Sequence, residues 1–369
     1  MPNYDYVIVG AGFFGAVCAH ELTRRNRRVL VLDRRNHVGG NCYTEVVHGI
    51  PVHRYGAHIF HTNDRRIWEY VNGFAEFRPY CHRVKVRHGE RLFSFPINLL
   101  TLHQLWGVRS PEEAERKLAS VREPIAEPRN MEEWCLATVG REIYETFVYG
   151  YSCKQWGREP KDLPATIIRR IPVRLSFDDS YFDDAYVGIP VDGYSPIFER
   201  MLDGIEVLLD CDFFADRAGF ERMGTVIFTG MIDEYFGFRH GPLEYRSLRF
   251  EDEVVDGDFQ GAPVVNYADK DVPFTRIIEH KHFHGIESDQ SVITREYPDN
   301  YEAGKEPYYP VGDARNRALY EKYRAIPTDT LFGGRCGRYV YWDMHQAIGA
   351  ALTLARGLRT GRTKERIAA

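Results

Sequence analysis

Gly10, Gly12 and Gly15 stand in the GxGxxG spacing through which bare backbone can hold a pyrophosphate. The first lets the chain turn sharply, the second lets backbone approach phosphate, and the third lets a helix pack on the preceding strand. The helix N-terminus then offers unpaired N–H groups and positive dipole density to the phosphates, and Phe14, inside the turn, joins the cofactor set. Asp33 ends the next apolar run and places an acceptor where a ribose hydroxyl needs one. Arg34 follows, and then a second glycine turn, Gly39-Gly40-Asn41. Nicotinamide enzymes of this fold do not usually need such a turn so soon after the acid. Two-domain FAD proteins do, because the chain there passes close to an extended flavin dinucleotide. The residues point to FAD.

The elements that must carry these groups are legible around them. Tyr4 to Val9 is a buried-strand run, Ala16, Val17, Ala19 and Leu22 continue at helical spacing, and Arg28 to Leu32 is a second strand. Near the other end, Thr225 to Phe228 reads as a short buried strand followed by Thr229 and Gly230, and Leu331-Phe-Gly-Gly-Arg335 as another. Met344, Ile348, Ala351, Leu352 and Ala355 then recur at helical spacing, with Asp343 as the N-cap. A helix starting there aims its N-terminal dipole at a flavin's pyrimidine edge. The expected fold is α/β: a Rossmann-like FAD-binding domain assembled from both ends of the chain (1–75, 191–242 and 325–369). A helical domain over 76–165, a mobile substrate loop over 166–190 and an antiparallel sheet domain over 243–324 complete it.

The 369 residues suffice for two or three domains. A formal net charge of -5 argues against a nucleic-acid partner, for which a basic footprint is expected. Seven cysteines, odd in number and without a CxxC pair, read as reduced thiols. No apolar run reaches membrane-spanning length, and the chain starts directly with a core strand, so a cytoplasmic enzyme is expected. No metal site is expected, since His58 and His61 have no third ligand at suitable spacing.

Beyond the glycine turns, Tyr55-Gly-Ala-His-Ile-Phe-His-Thr62, Gly150-Tyr-Ser-Cys-Lys-Gln-Trp-Gly157 and Arg169-Arg-Ile-Pro-Val-Arg174 resemble bacterial UDP-galactopyranose mutase. So do Pro273 to Lys281, Glu306-Pro-Tyr-Tyr-Pro310, and Gly334-Arg335 through Tyr341-Trp-Asp-Met-His345. The resemblance runs in one order from about residue 4 to 357. It implies a flavin-dependent isomerase interconverting UDP-galactopyranose and UDP-galactofuranose, with reduced FAD N5 as nucleophile at the anomeric carbon and no net redox change. It also implies a flavin reductant such as NAD(P)H, and a homodimer.

Residue by residue, the resemblance assigns Arg170 and Arg276 to the substrate diphosphate. Negative charge develops there as the glycosidic bond breaks, so cations are needed. Tyr181, Tyr309 and Tyr341 are assigned to the same group, with Tyr308 an alternative to Tyr309. Phe147, Val148, Tyr151 and Trp156 form the uridine and sugar wall, with Asn266 beside them. The bland reading of Phe147 and Tyr151, four apart, is a helix packing pair. For Arg276 it is an ion pair with Glu279 or another carboxylate. His58, Ile59 and His61 match the flavin-edge segment, and His61 is the catalytic candidate of the three. Thr229, Gly230, Arg335, Asp343 and Met344 complete the cofactor set. Val148 and His82 depart from the family pattern, where an aromatic also occurs and asparagine is familiar. Two other readings compete: an FAD-dependent oxidoreductase related to amine oxidases, and a flavin-free protein related to GDP-dissociation inhibitors.

Overall fold

The computed structural model describes residues 3–169 and 172–359. Its cofactor half is a five-stranded parallel sheet in the order Glu206–Leu208, Val29–Leu32, Tyr6–Val9, Thr225–Phe228, Leu331–Phe332. Val7 lies between Leu30 and Val226, so the first strand sits at the centre and is flanked by segments from both halves of the sequence. Val29–Leu32 is buried at every residue, as expected of a parallel strand covered on both faces. Phe13–Thr23 covers one face and packs against the last helix, Met344–Arg359. Ala16, Val17 and Ala19 meet Ile348, Ala351 and Leu354 there in one apolar cluster.

The other half is a seven-stranded sheet in the order Tyr309–Pro310, Tyr245–Asp256, Gln290–Asn300, Arg276–Glu279, Val264–Tyr267, Val84–His88, Arg91–Phe95. It is antiparallel except where Val264–Tyr267 runs parallel to Val84–His88. Residues 84–95, placed by sequence in the helical segment, thus form a hairpin on the edge of this sheet. Val84, Val86, Phe93 and Phe95 turn inward there, under helices drawn from 99–156. The 166–190 stretch ends in a strand, Tyr186–Pro190, which pairs antiparallel with Phe60–Thr62 and with Phe77–Pro79.

Candidate functional site

Two cavities meet between the sheets. The first, about 380 Å³, is lined by Gly10, Gly12, Phe14, Gly15, Asp33, Arg34, Gly40, Asn41, His58, Thr229, Gly230, Arg335, Asp343 and Met344. The three glycines of the first turn have three different reasons to be glycine. Gly10 has φ +104°, and a Cβ there would lie 2.0 Å from Thr229 Oγ1, which is itself held by a bond to the Val9 carbonyl. A Cβ on Gly15 would lie 1.9 Å from the Gly10 carbonyl oxygen, so helix and strand would be forced apart. Gly12 is different: its Cβ would meet Gly40 Cα at 3.8 Å, ordinary contact. Nothing among the described residues forbids a side chain at Gly12, which faces the cavity. That is the behaviour of a cradle shaped for a dinucleotide, and the donor set around it fits FAD.

The second glycine turn supports the first. Gly39 N–H donates to the Ala11 carbonyl at 2.9 Å, and the Asp33 carboxylate accepts from Ala11 N–H at 2.7 Å and Arg35 N–H at 2.9 Å. Arg34 and Arg35 both pair with Glu306 at 2.7 Å. Burial raises the Glu306 carboxyl, but the two guanidinium groups outweigh it and hold it below its usual range. Asp343 begins the last helix: its carbonyl accepts from Gln346 and Ala347 N–H, and its own N–H donates to Gln346 Oε1 at 2.9 Å. The expected cap thus takes its side-chain bond from Gln346, while the Asp343 carboxylate turns toward His61 Nε2, 4.0 Å away.

The second cavity, about 250 Å³, shares Asn41, His58, Arg335, Asp343 and Met344 with the first. Around it stand Phe147, Val148, Tyr151, Trp156, Tyr181, Asn266, Arg276, Tyr309 and Tyr341, with His61 and Ile59. Ile59, assigned from sequence to the cofactor, lines this cavity and not the first. Arg170 lies outside the described residues. Phe147 and Val148 belong to a π-helix, Tyr144–Tyr149, rather than to the α-helical register that their spacing suggested. Such segments are rare and frequent at functional sites.

Arg276 pairs with Glu296, Nε and Nη2 each at 3.0 Å, and not with Glu279, which accepts from Phe259 and Gln260 N–H. Burial opposes the Arg276 charge, yet Glu296 and the hydroxyls of Tyr151, Tyr309 and Tyr181 hold it well above its ordinary value. Tyr309 stacks on Tyr341 at 5.6 Å and faces Trp156 at 6.4 Å, whereas Tyr308 packs on Phe250 at 5.8 Å. That register favours Tyr309 as the residue beside Arg276. Arg335 donates to the Trp342 carbonyl at 2.7 Å and lies over the Tyr341 ring.

Among the described residues, His82 Nδ1, Gln155 Oε1 and Asn266 Oδ1 are buried without a hydrogen-bond partner, and all three residues line this second cavity. Unpartnered buried polar atoms each cost about 1–3 kcal/mol, so their convergence points to a polar ligand. Burial, with Arg276 nearby, pushes His82 down to about 3. Burial and Arg335 push His58 down to about 4. His58 Nδ1 donates to the Gly56 carbonyl at 2.7 Å, which leaves its Nε2 as an acceptor on the shared wall. Sequence reasoning assigned no role to Gln155, Glu296 or Asp184. It also found no third metal ligand, yet folding brings ligand atoms of Asp343 and His345 within 4.8 Å of His61.

The sequence profile of UDP-galactopyranose mutase matches residues 146–341, and that of an NAD(P)-binding Rossmann-like domain matches residues 8–74. The chain is 40% identical to a probable UDP-galactopyranose mutase of Klebsiella pneumoniae, over 96% of this chain and 94% of that one. It is 39% identical to a dTDP-fucopyranose mutase of Escherichia coli, over 95% of this chain and 97% of that one. A crystal structure of reduced UDP-galactopyranose mutase superimposes with a TM-score of 0.77 at 16% identity, covering 100% of this chain and 96% of that one.

Proposed function

The chain belongs to the UDP-galactopyranose mutase family, a family of flavoenzymes that use FAD, and from that premise we propose that it interconverts UDP-galactopyranose and UDP-galactofuranose without net redox change. The observation that carries the reading is the shared wall. A glycine cradle for a dinucleotide and a cavity holding a buried arginine and three unpartnered polar atoms meet at His58, Arg335 and Asp343. When bound and reduced, the flavin supplies the nucleophile, its N5, at the anomeric carbon.

The chain's own residues do the rest. Arg276, kept charged by Glu296, faces the departing diphosphate and stabilises the charge that grows on it. Arg170 is its proposed partner there, and Tyr181, Tyr309 and Tyr341 add hydroxyls to the same group. Phe147, Val148, Tyr151 and Trp156 enclose the base and sugar and exclude water. The N-terminus of Met344–Arg359 opens on the shared wall, where its dipole favours negative charge on a reduced flavin. NAD(P)H as flavin reductant, a homodimeric working form and residence in the cytoplasm belong to the same proposal.

A second substrate reading has its own support: the relative named for dTDP-fucopyranose is as similar to this chain as the one named for UDP-galactopyranose. One experiment tests both. Dithionite-reduced and oxidised protein are assayed with UDP-galactofuranose and with dTDP-fucofuranose, while reductant consumption is followed. Turnover of the UDP-sugar by reduced protein alone, with far less than one reductant spent per product, is expected. Activity of the oxidised protein, or reductant spent one for one, would leave an oxidoreductase reading in its place.

A further inference from the structure

Asp184 lies two residues before the strand Tyr186–Pro190, whose pairing with Phe60–Thr62 brings its carboxylate to His61. Oδ2 lies 2.9 Å from His61 Nδ1. Oδ1 accepts from Asn63 Nδ2 at 2.9 Å, and Asn63 Oδ1 accepts from Ala185 N–H at 2.8 Å. A backbone amide can only donate, so Ala185 fixes which end of the Asn63 amide faces Asp184. An ionised carboxylate can only accept, so the hydrogen between His61 and Asp184 belongs to Nδ1. The proton assignment thus follows from a chain of bonds anchored in the backbone. The His61 ring is stacked on Phe182 at 4.0 Å with 16° between planes, which holds its orientation. Its Nε2 lies toward Asp343 Oδ2 at 4.0 Å, and the His345 ring meets it edge-on at 5.1 Å. Asp184, Asp343 and His345 are the titratable groups facing it among the described residues.

We propose that Asp184 is a positioning residue that confines proton exchange by His61 to Nε2, the nitrogen on the side of the cofactor–sugar junction. The proposal rests on the mutase reading. The ring cycles between the imidazolium and the neutral Nδ1–H form: when the bond between the anomeric carbon and the ring oxygen breaks, its electron pair stays on that oxygen, which takes the Nε2 proton of the imidazolium and leaves the neutral Nδ1–H form. When the other hydroxyl closes the new ring, its oxygen pair forms the bond to the same carbon and its proton goes to Nε2. One nitrogen gives the first proton and receives the second, so the step consumes none. Nδ1 takes no part because Asp184 holds its hydrogen. This is the logic by which a buried carboxylate sets the working tautomer of a catalytic histidine.

The test uses Asp184→Asn, whose outcome the neighbouring bonds dictate. Asn63 still offers its NH2, so it takes the new amide oxygen and turns the new NH2 toward His61 Nδ1. That inverts the neutral tautomer. The readout is long-range 1H–15N correlation on 15N-histidine-labelled, FAD-bound protein at about pH 9, above the imidazole range. His61 signals are assigned by their loss in His61→Gln. The expected result is Nδ1–H in the parent and Nε2–H in Asp184→Asn. With it goes a kcat loss of about 10²-fold or more, KM held within about threefold. Asp184→Glu, which keeps an acceptor, retains the parental tautomer and recovers part of kcat. An Nε2–H tautomer in the parent, or an inverted tautomer with parental kcat, overturns the proposal. A parent that holds Nδ1–H yet turns over no nucleotide sugar indicts the mutase reading alone.

Discussion

Asn266 and Arg276 stand opposite each other on neighbouring antiparallel strands, and both line the second cavity. The pairing sets a neutral acceptor with no partner among the described residues beside a guanidinium braced by a buried carboxylate, Glu296, which is 1% exposed. In the proposed function the two residues divide the work: one reads a hydroxyl, the other neutralises a diphosphate.

Arg276→Ala tests that division, with one complication. Removing the guanidinium strands Glu296 in the interior, which costs roughly 3–5 kcal/mol. The double variant Arg276→Ala with Glu296→Gln removes the charge without stranding its partner. Both are expected to lose about 10²-fold or more in turnover while keeping FAD, and only the single variant should show a large drop in Tm. Arg276→Lys should rescue partly, because an ammonium lacks the planar fork. Arg170→Ala is expected to show the same split between turnover and FAD content. A double variant with near-parental turnover would remove Arg276 from the diphosphate.

The glycine turn gives a cleaner contrast. Gly12→Val should fold with a near-parental Tm in the absence of cofactor, since a Cβ there makes only ordinary contact with the chain, yet lose FAD on purification. Gly15→Val should fail at folding, because its Cβ meets the Gly10 carbonyl. Equal FAD content in Gly12→Val and parent protein would show that the cradle does not run past Gly12.

How far the sequence carried this far depends on how local each signal is. The glycine turns, Asp33 and the last helix are short-range patterns, and they fold as their spacing says. The hairpin over 84–95 does carry a local signal: Val84 and Val86, then Phe93 and Phe95, alternate on either side of Gly89. The π-helix at Tyr144–Tyr149 has no such mark, because its apolar residues also satisfy an α-helical period. The partners of the candidate groups were the least legible. Glu296 reaches Arg276 through the register of two neighbouring strands, and Asp184 reaches His61 through the pairing of strands more than a hundred residues apart in sequence.

Acid should destabilise the protein earlier than its carboxylates alone would require. His58 and His284 are held down to about 4 and His82 and His280 to about 3, burial being the largest cause in each. Each folded value lies below the unfolded value of 6.5, so the unfolded chain binds these protons first. Stability is therefore full above about pH 6.5 and falls as pH drops toward the folded values, by about 1.4 kcal/mol per pH unit for each histidine. Urea melts between pH 7 and pH 5 should show uptake of several protons on unfolding. A flat stability over that window would mean these imidazoles are solvated in the folded protein.

The unpartnered acceptors of the second cavity give the last prediction. Gln155 Oε1 and Asn266 Oδ1 are buried, and a substrate hydroxyl that donates to either recovers a bond the free protein lacks. Because that bond forms on binding and does not grow as the anomeric carbon reacts, its loss should fall on KM and leave kcat alone. Gln155→Leu and Asn266→Leu fill similar volume without the amide, which avoids a cavity. Each should raise KM by about tenfold, the equivalent of about 1.4 kcal/mol, with kcat within about twofold. Their Tm should hold or rise, since each removes a buried amide oxygen that has no partner among the described residues. A fall in kcat at unchanged KM would place the residue among the groups that act on the transition state, and a fall in Tm would make its amide structural.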